Sequence, residues 1–176
     1  MADFILSDIE VDIAGKSNAA LLKKTVYFTA IDQIASVPPM DAGLNQISMP
    51  IVMQPAVPAG TNTAAVPAGR FAKIVASEMT GDFKVEKLGE RDNHAGFKVT
   101  VKLFVNGKSA AASYLLSQLR NRRLALIVEE RDGTRYLIYD IFLNYSAEVT
   151  PKRGYTLDGE AEYSDEPPVY TGPIVL

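Results

Sequence analysis

The sequence predicts a mainly β protein: an antiparallel β-barrel or sandwich with one flanking α-helix at about residues 109–121 and a long Pro/Ala-rich arm. Three observations carry this reading. Period-2 alternation of apolar and polar residues recurs along most of the chain, only the stretch after Asn106 places apolar residues at helical spacing, and six prolines crowd the segment from Val37 to Gly69.

The first alternation, Phe4 to Ile13, sets Ile9, Val11 and Ile13 against Asp8, Glu10 and Asp12, as in a half-buried strand with an acidic outer face. Lys24 to Ile31 supplies Thr25, Val26, Tyr27, Phe28 and Thr29, whose β-branched and aromatic side chains suit a pleated sheet. Ile31 to Ala35 reads as a helical turn. From Val37 to Gly69, Pro38, Pro39, Pro50, Pro55, Pro58 and Pro67 remove ladder donors, and Gly and Ala give little to bury. Residues 37–69 are therefore an extended loop or arm, with one short edge strand at Ile47 to Met53. The segment reads either as a floppy surface loop or as an arm that orders on a neighbouring subunit, and Met40, Met49, Ile51, Val52 and Met53, which a free loop would expose, favour the second.

Three strand-like runs follow: Arg70 to Ser77, Phe83 to Leu88, and Phe97 to Val105. Gly89 to Gly96 is the loop joining the last two. Ser109 is suited to cap a helix whose Ala111, Leu115 and Leu119 share one face with Ala112 and Leu116. Asp132-Gly133 between apolar runs marks a two-residue hairpin turn that pairs Leu124–Glu129 with Arg135–Ile141. The return strand is apolar on both faces, so either it is central in its sheet or one face, with Tyr136 and Ile138, meets another subunit. Leu143 to Val149 continues it or forms a further short strand. A last amphipathic strand sets Tyr155, Leu157, Ala161 and Tyr163 against Thr156, Asp158, Glu160 and Glu162, and residues 165–176 form a C-terminal tail.

Composition bounds the chemistry. The 176 residues, 47% of them hydrophobic, suffice for a single domain spanning 1–176. Without cysteine and with one histidine, disulfides, thiolate sites and His-rich metal sites are excluded, and a net charge of −3 disfavours a dedicated nucleic-acid binder. The amino terminus carries acid where a secretory signal needs base, and no apolar run is long enough to span a bilayer, so a cytosolic origin without a membrane partner is expected.

No cluster reads as catalytic. Gly15-Lys16-Ser17 ends like a phosphate-binding loop, but Glu10 stands where that motif needs glycine and would repel phosphate. Glu90, Asp92 and His94 alternate in a solvated loop without a second ligand set. Asp158, Glu160 and Glu162 are evenly spaced acids on the wet side of a strand, with nothing to raise the pKa of any one of them. Arg120, Arg122 and Arg123 suit a helix C-terminus through its dipole, and equally an intersubunit ion-pair belt with Glu129, Glu130, Asp158 or Glu160.

The helix with its Leu116 and Leu119 pair, the strand leading to Asp132, Gly133 and Leu137, the Gly154-Tyr155-x-Leu157 strand, and Pro168 with Tyr170 together resemble small virion proteins of tailed bacteriophages, above all tail tube and tail-adaptor proteins. The resemblance covers roughly residues 97–176. It implies a non-enzymatic structural protein without cofactor, forming rings, by expectation hexameric, that stack around a channel for transient passage of DNA. Its partners would be further copies and other tail or neck proteins, in the virion and, during assembly, in the host cytoplasm. In such families a long loop or hairpin reaches the adjacent ring and the lumen tends to be acidic. The Pro/Ala arm, with Met49, Ile51, Val52 and Met53, and the acidic face of Asp158, Glu160 and Glu162 would fill those roles. Because prolines disfavour a long regular hairpin, a head-to-tail neck, tail terminator or completion protein is the alternative. A monomeric β-sandwich binding a protein or carbohydrate ligand is the second, with the absence of Trp counting against sugar stacking.

Overall fold

The computed structural model describes residues 25–60, 65–75, 82–89, 96–106, 110–130, 133–148 and 154–176. The expected strand at Phe4–Ile13, the turn at Gly15–Ser17, the Glu90/Asp92/His94 loop and the Ser109 cap lie outside these residues. Strand accounts for 56% of the structure and helix for 8%, so the protein is mainly β with one flanking helix.

In chain order the elements are β1 (Thr25–Ala30), a 3₁₀ turn (Ile31–Gln33), β2 (Ile34–Ser36), β3 (Gln46–Ile47), β4 (Val52–Met53), β5 (Ala72–Val75), β6 (Asp82–Leu88), β7 (Gly96–Asn106), α1 (Ala110–Leu119), β8 (Leu124–Glu129), β9 (Arg135–Glu148), β10 (Gly154–Tyr163) and β11 (Val169–Tyr170). The main sheet runs β5-β1-β8-β9-β10-β7-β6, with every neighbour antiparallel.

One long strand serves two sheets. Residues 135–141 of β9 pair with β8, whereas Phe142–Glu148 pair with β10. The change of partner coincides with a bulge: Leu124 faces Ile141 but Ala125 faces Tyr139, leaving Asp140 as the extra residue with a φ of 70°. A short polar side chain tolerates this left-handed backbone, and Asp140 is also held by a two-pronged ion pair from the Arg123 guanidinium. Gly159 on β10 makes room for the bend, because a Cβ there would lie 2.6 Å from Leu143 Cδ2 and 2.9 Å from Ile141 Cδ1. The result is two packed sheets joined by a corner strand.

The space between the sheets is the larger core. Val26 and Phe28 of β1, Leu126 and Val128 of β8 and Ile138 of β9 meet Val99, Val101 and Leu103 of β7 and Leu157 of β10, and α1 adds Leu115, Leu116 and Leu119. The helix is amphipathic as its leucine spacing requires, with Tyr114 and Ser117 turned outward. A second core lies on the opposite face of the first sheet. There Ala125, Ile127 and Leu137 are covered by Ile34, Ile47, Ile51, Phe71 and Tyr170.

That outer layer is built from the arm and the chain end. Within the C-terminal tail Val169–Tyr170 forms β11, parallel to β3 and antiparallel to β9. Its amides donate to Asn45 and Ile47 carbonyls at 3.0 Å each, and Leu137 donates to Pro168 at 3.0 Å. The Tyr170 hydroxyl accepts from the Ile51 amide at 3.3 Å and donates to the Pro173 carbonyl at 2.8 Å, which pins the arm to the tail.

The β8–β9 connection also differs from the expected two-residue turn. The Glu130 amide donates to Thr134 O (2.7 Å) and the Gly133 amide to Glu130 O (3.0 Å), with Gly133 at a φ of 90°. Glycine is still required, as the left-handed residue of a longer loop. Arg131 and Asp132 lie outside the described residues.

Candidate functional site

The arm is two-sided. Ile47 and Ile51 are buried against the first sheet and Met53 packs partly against it, through β2–β4 pairing of Ile34 with Met53 and Ser36 with Val52. The Gln54 amide donates to Gln33 O and the Gly69 amide to Gln54 O, so the outgoing and returning passes are held together. Beyond them Val57 and Val66 exchange two backbone bonds of 2.9 and 2.8 Å, extending the arm as a short irregular ladder. Along the arm Met40, Leu44, Met49, Val52, Val57 and Val66 are each between 43% and 60% exposed. This concentration of exposed apolar side chains is the first element of the site.

Beside the arm root lies a cavity of about 530 Å³. Pro38, Pro39, Met40, Tyr139, Pro167 and Pro168 are among the residues that line it, with Tyr163. Asp165 and Glu166 also border it, with Asp165 accepting a 2.9 Å bond from Ser164 Oγ. The Tyr163 hydroxyl is buried, and no group among the described residues bonds to it. Burial pushes its pKa well above the ordinary tyrosine range, keeping it a neutral phenol.

The outer face of the second sheet is charged rather than apolar. Asp158, Glu160 and Glu162 of β10 stand opposite Lys102, Thr100 and Lys98 of β7. Lys98 Nζ lies 2.9 Å from Glu160, and Lys102 Nζ lies 3.9 Å from Asp158. Pairing with Glu160 raises the Lys98 pKa, and on β6 the Lys84 ammonium at 2.5 Å holds the Glu86 carboxyl below its usual range. Asp82 and Glu86 add to the three β10 acids, against Lys84, Lys98 and Lys102, so acid predominates on this face.

The predicted interface residues divide. Met49 and Val52 are half exposed on the arm, and Arg120 is exposed at the end of α1. Ile51 and Ile138 are core residues, 2% and 1% exposed, buried by their own chain. Met53 is partly buried, and the Tyr136 ring packs 5.2 Å from that of Phe83. The two-sided apolar character of β9 thus reflects a central strand whose second face is covered by arm and tail. Arg122 lies 3.5 Å from Asp32 and Arg123 pairs with Asp140, while Glu129 faces Arg135 at 3.8 Å. Most members of the expected intersubunit belt have partners within the chain.

The cavity has a weak trace in the sequence. Pro38-Pro39 and Pro167-Pro168 are rigid apolar pairs, but only the β3–β11 pairing brings them together. Among the described residues no group of three or more His, Cys, Asp or Glu is placed to hold a metal ion, and no helix is long and apolar enough to cross a membrane. No family model, curated protein or solved structure matches this chain.

Proposed function

We propose that the protein is a self-assembling structural subunit, a ring-forming protein of a phage tail or neck, with a tail tube as the leading role. The observation that carries this reading is the exposure of six apolar side chains along the arm, Met40, Leu44, Met49, Val52, Val57 and Val66. Exposed apolar side chains gathered on an element rooted in the core by Ile47 and Ile51 call for a protein partner, and a second copy is the simplest one. The acidic excess on the second sheet supports the same reading, since like charge keeps phosphates from adhering to a channel wall. The two-sheet β architecture with one flanking helix is what the resemblance implies, although it is shared by many unrelated proteins.

Negative-stain electron microscopy of the purified protein is the test. Stacked rings or tubes support the tube role, single closed rings favour the neck or terminator role, and a monomer at every concentration overturns assembly. A second reading, a monomeric binding module, is favoured by the 530 Å³ cavity, which has the size of a small-ligand site.

A further inference from the structure

The cavity beside the arm root, about 530 Å³, has the volume of a small-ligand site. Its lining is mostly apolar, and the two charged side chains in it, Asp165 and Glu166, are both acids. Neither has a Lys or Arg within ion-pair distance among the described residues. In this they differ from Asp32, Asp140 and Glu160, which are paired within the chain.

The lining is held in place before any ligand arrives. The rings of Pro38, Pro39, Pro167 and Pro168 fix their own backbone torsion, and Asn45 Nδ2 donates to the Glu166 carbonyl at 3.2 Å while the Asn45 carbonyl accepts from the Val169 amide at 3.0 Å. These bonds tie the acidic segment to the arm. The site is also reachable from solvent, since Met40 is 53% and Tyr139 38% exposed. An apolar molecule carrying positive charge matches such a lining: its body leaves water, its charge meets the unpaired carboxylates, and Tyr139 supplies an aromatic ring, whose face attracts a cation. An anion would meet two like charges, and a neutral molecule would leave both carboxylates without a partner.

We infer that the cavity is a binding site for a small organic cation, an ammonium or guanidinium group on an apolar body, held by Asp165, Glu166 and Tyr139. No second copy contributes a residue to it, so it stands or falls apart from the assembly reading.

The test is a titration of the full chain with phenylbutylamine, a cation at neutral pH, with phenylbutanol and phenylbutyrate as its neutral and anionic counterparts. Binding is followed by NMR of the methionine methyl groups, which remain readable in a large assembly. Met40 lines the cavity, whereas Met49, on the same arm and 51% exposed, does not. The amine should therefore shift the Met40 methyl to saturation and leave that of Met49 in place. The alcohol should bind about tenfold more weakly or worse, having lost a charge-assisted contact, and the butyrate should not bind. In the double variant Asp165→Asn/Glu166→Gln, at two exposed positions, the preference for the amine over the alcohol should vanish. Tyr139→Leu should weaken the amine severalfold and the alcohol less. Absence of a saturable shift at Met40, or an equal shift at Met49, overturns the site. Amine and alcohol binding alike, or a double variant that keeps the wild-type preference, overturns the assignment of a cation to it.

Discussion

The two sheets share strand β9 yet face opposite surroundings. In the first, residues on both faces are apolar and buried: Leu126 and Ile138 look into the space between the sheets, while Ile127 and Leu137 look outward under Ile51 and Tyr170. In the second, only the inner face is apolar, and the outer one carries Lys98, Lys102, Asp158 and Glu160. A strand with two apolar faces needs two coverings. Here the chain provides the second one itself, by laying the arm and its own end across the first sheet.

The contrast can be broken most severely at the doubly covered sheet. Ile127→Ala removes a fully buried side chain under the arm and should cost about 2–5 kcal/mol in a urea unfolding titration. By contrast Asn144→Ala, exposed on the outer face of the second sheet, should stay within about 0.5 kcal/mol of wild type. Equal losses at the two positions would mean the arm does not cover the sheet in solution.

The joint between the sheets comes next. Gly159→Ala pushes a methyl group into Leu143 and Ile141 at the β9 corner, and both are flexible side-chain ends able to shift partly. A loss of about 1–3 kcal/mol is expected by thermal unfolding. Tyr170→Phe acts on the covering alone, leaving the Ile51 amide and the Pro173 carbonyl without their partner. It should cost about 1–2 kcal/mol and speed protease cleavage in the arm, while protection of β7 and β10 in hydrogen exchange stays unchanged.

The smallest effect belongs to the wet face. Lys84→Met removes the first cause of the lowered Glu86 pKa, so an NMR titration should show the Glu86 carboxyl moving up toward its ordinary value. The sign is that of a depressed carboxylate: any stabilisation from the pair is present above the unfolded-state pKa and is lost as pH falls through the folded one. Both groups are fully solvated, so the unfolding midpoint at neutral pH should not move measurably.

Residue by residue, local pattern was a good guide wherever a strand alternates. Val99, Val101, Leu103 and Val105 are buried and Lys102 is exposed, as period 2 demands, and Leu115, Leu116 and Leu119 form the buried stripe of the one helix. The expected bounds of β8 and the return strand match those observed, with β9 extended to Glu148. Local pattern failed where the answer depends on a distant segment. Ile51 and Ile138 look alike as surplus apolar residues, yet one is covered by Tyr170 from the far end of the chain and the other by the opposite sheet. The cavity was equally hidden, since Tyr139 and Tyr163 are strand residues whose neighbours Pro38 and Pro167 arrive from opposite ends of the described fold.

By itself, then, the sequence determined the β class, the position of the helix and which face of most strands is dry, because those follow from side-chain periodicity within a few residues. It also determined that the arm is irregular, since proline withdraws the donors a ladder needs. Only the tertiary structure decided where β9 changes sheets, what covers the outer face of the first sheet, and which arginines are already paired. Those outcomes depend on long-range contacts, in which an apolar residue signals that it will be buried but carries no label for the partner that buries it.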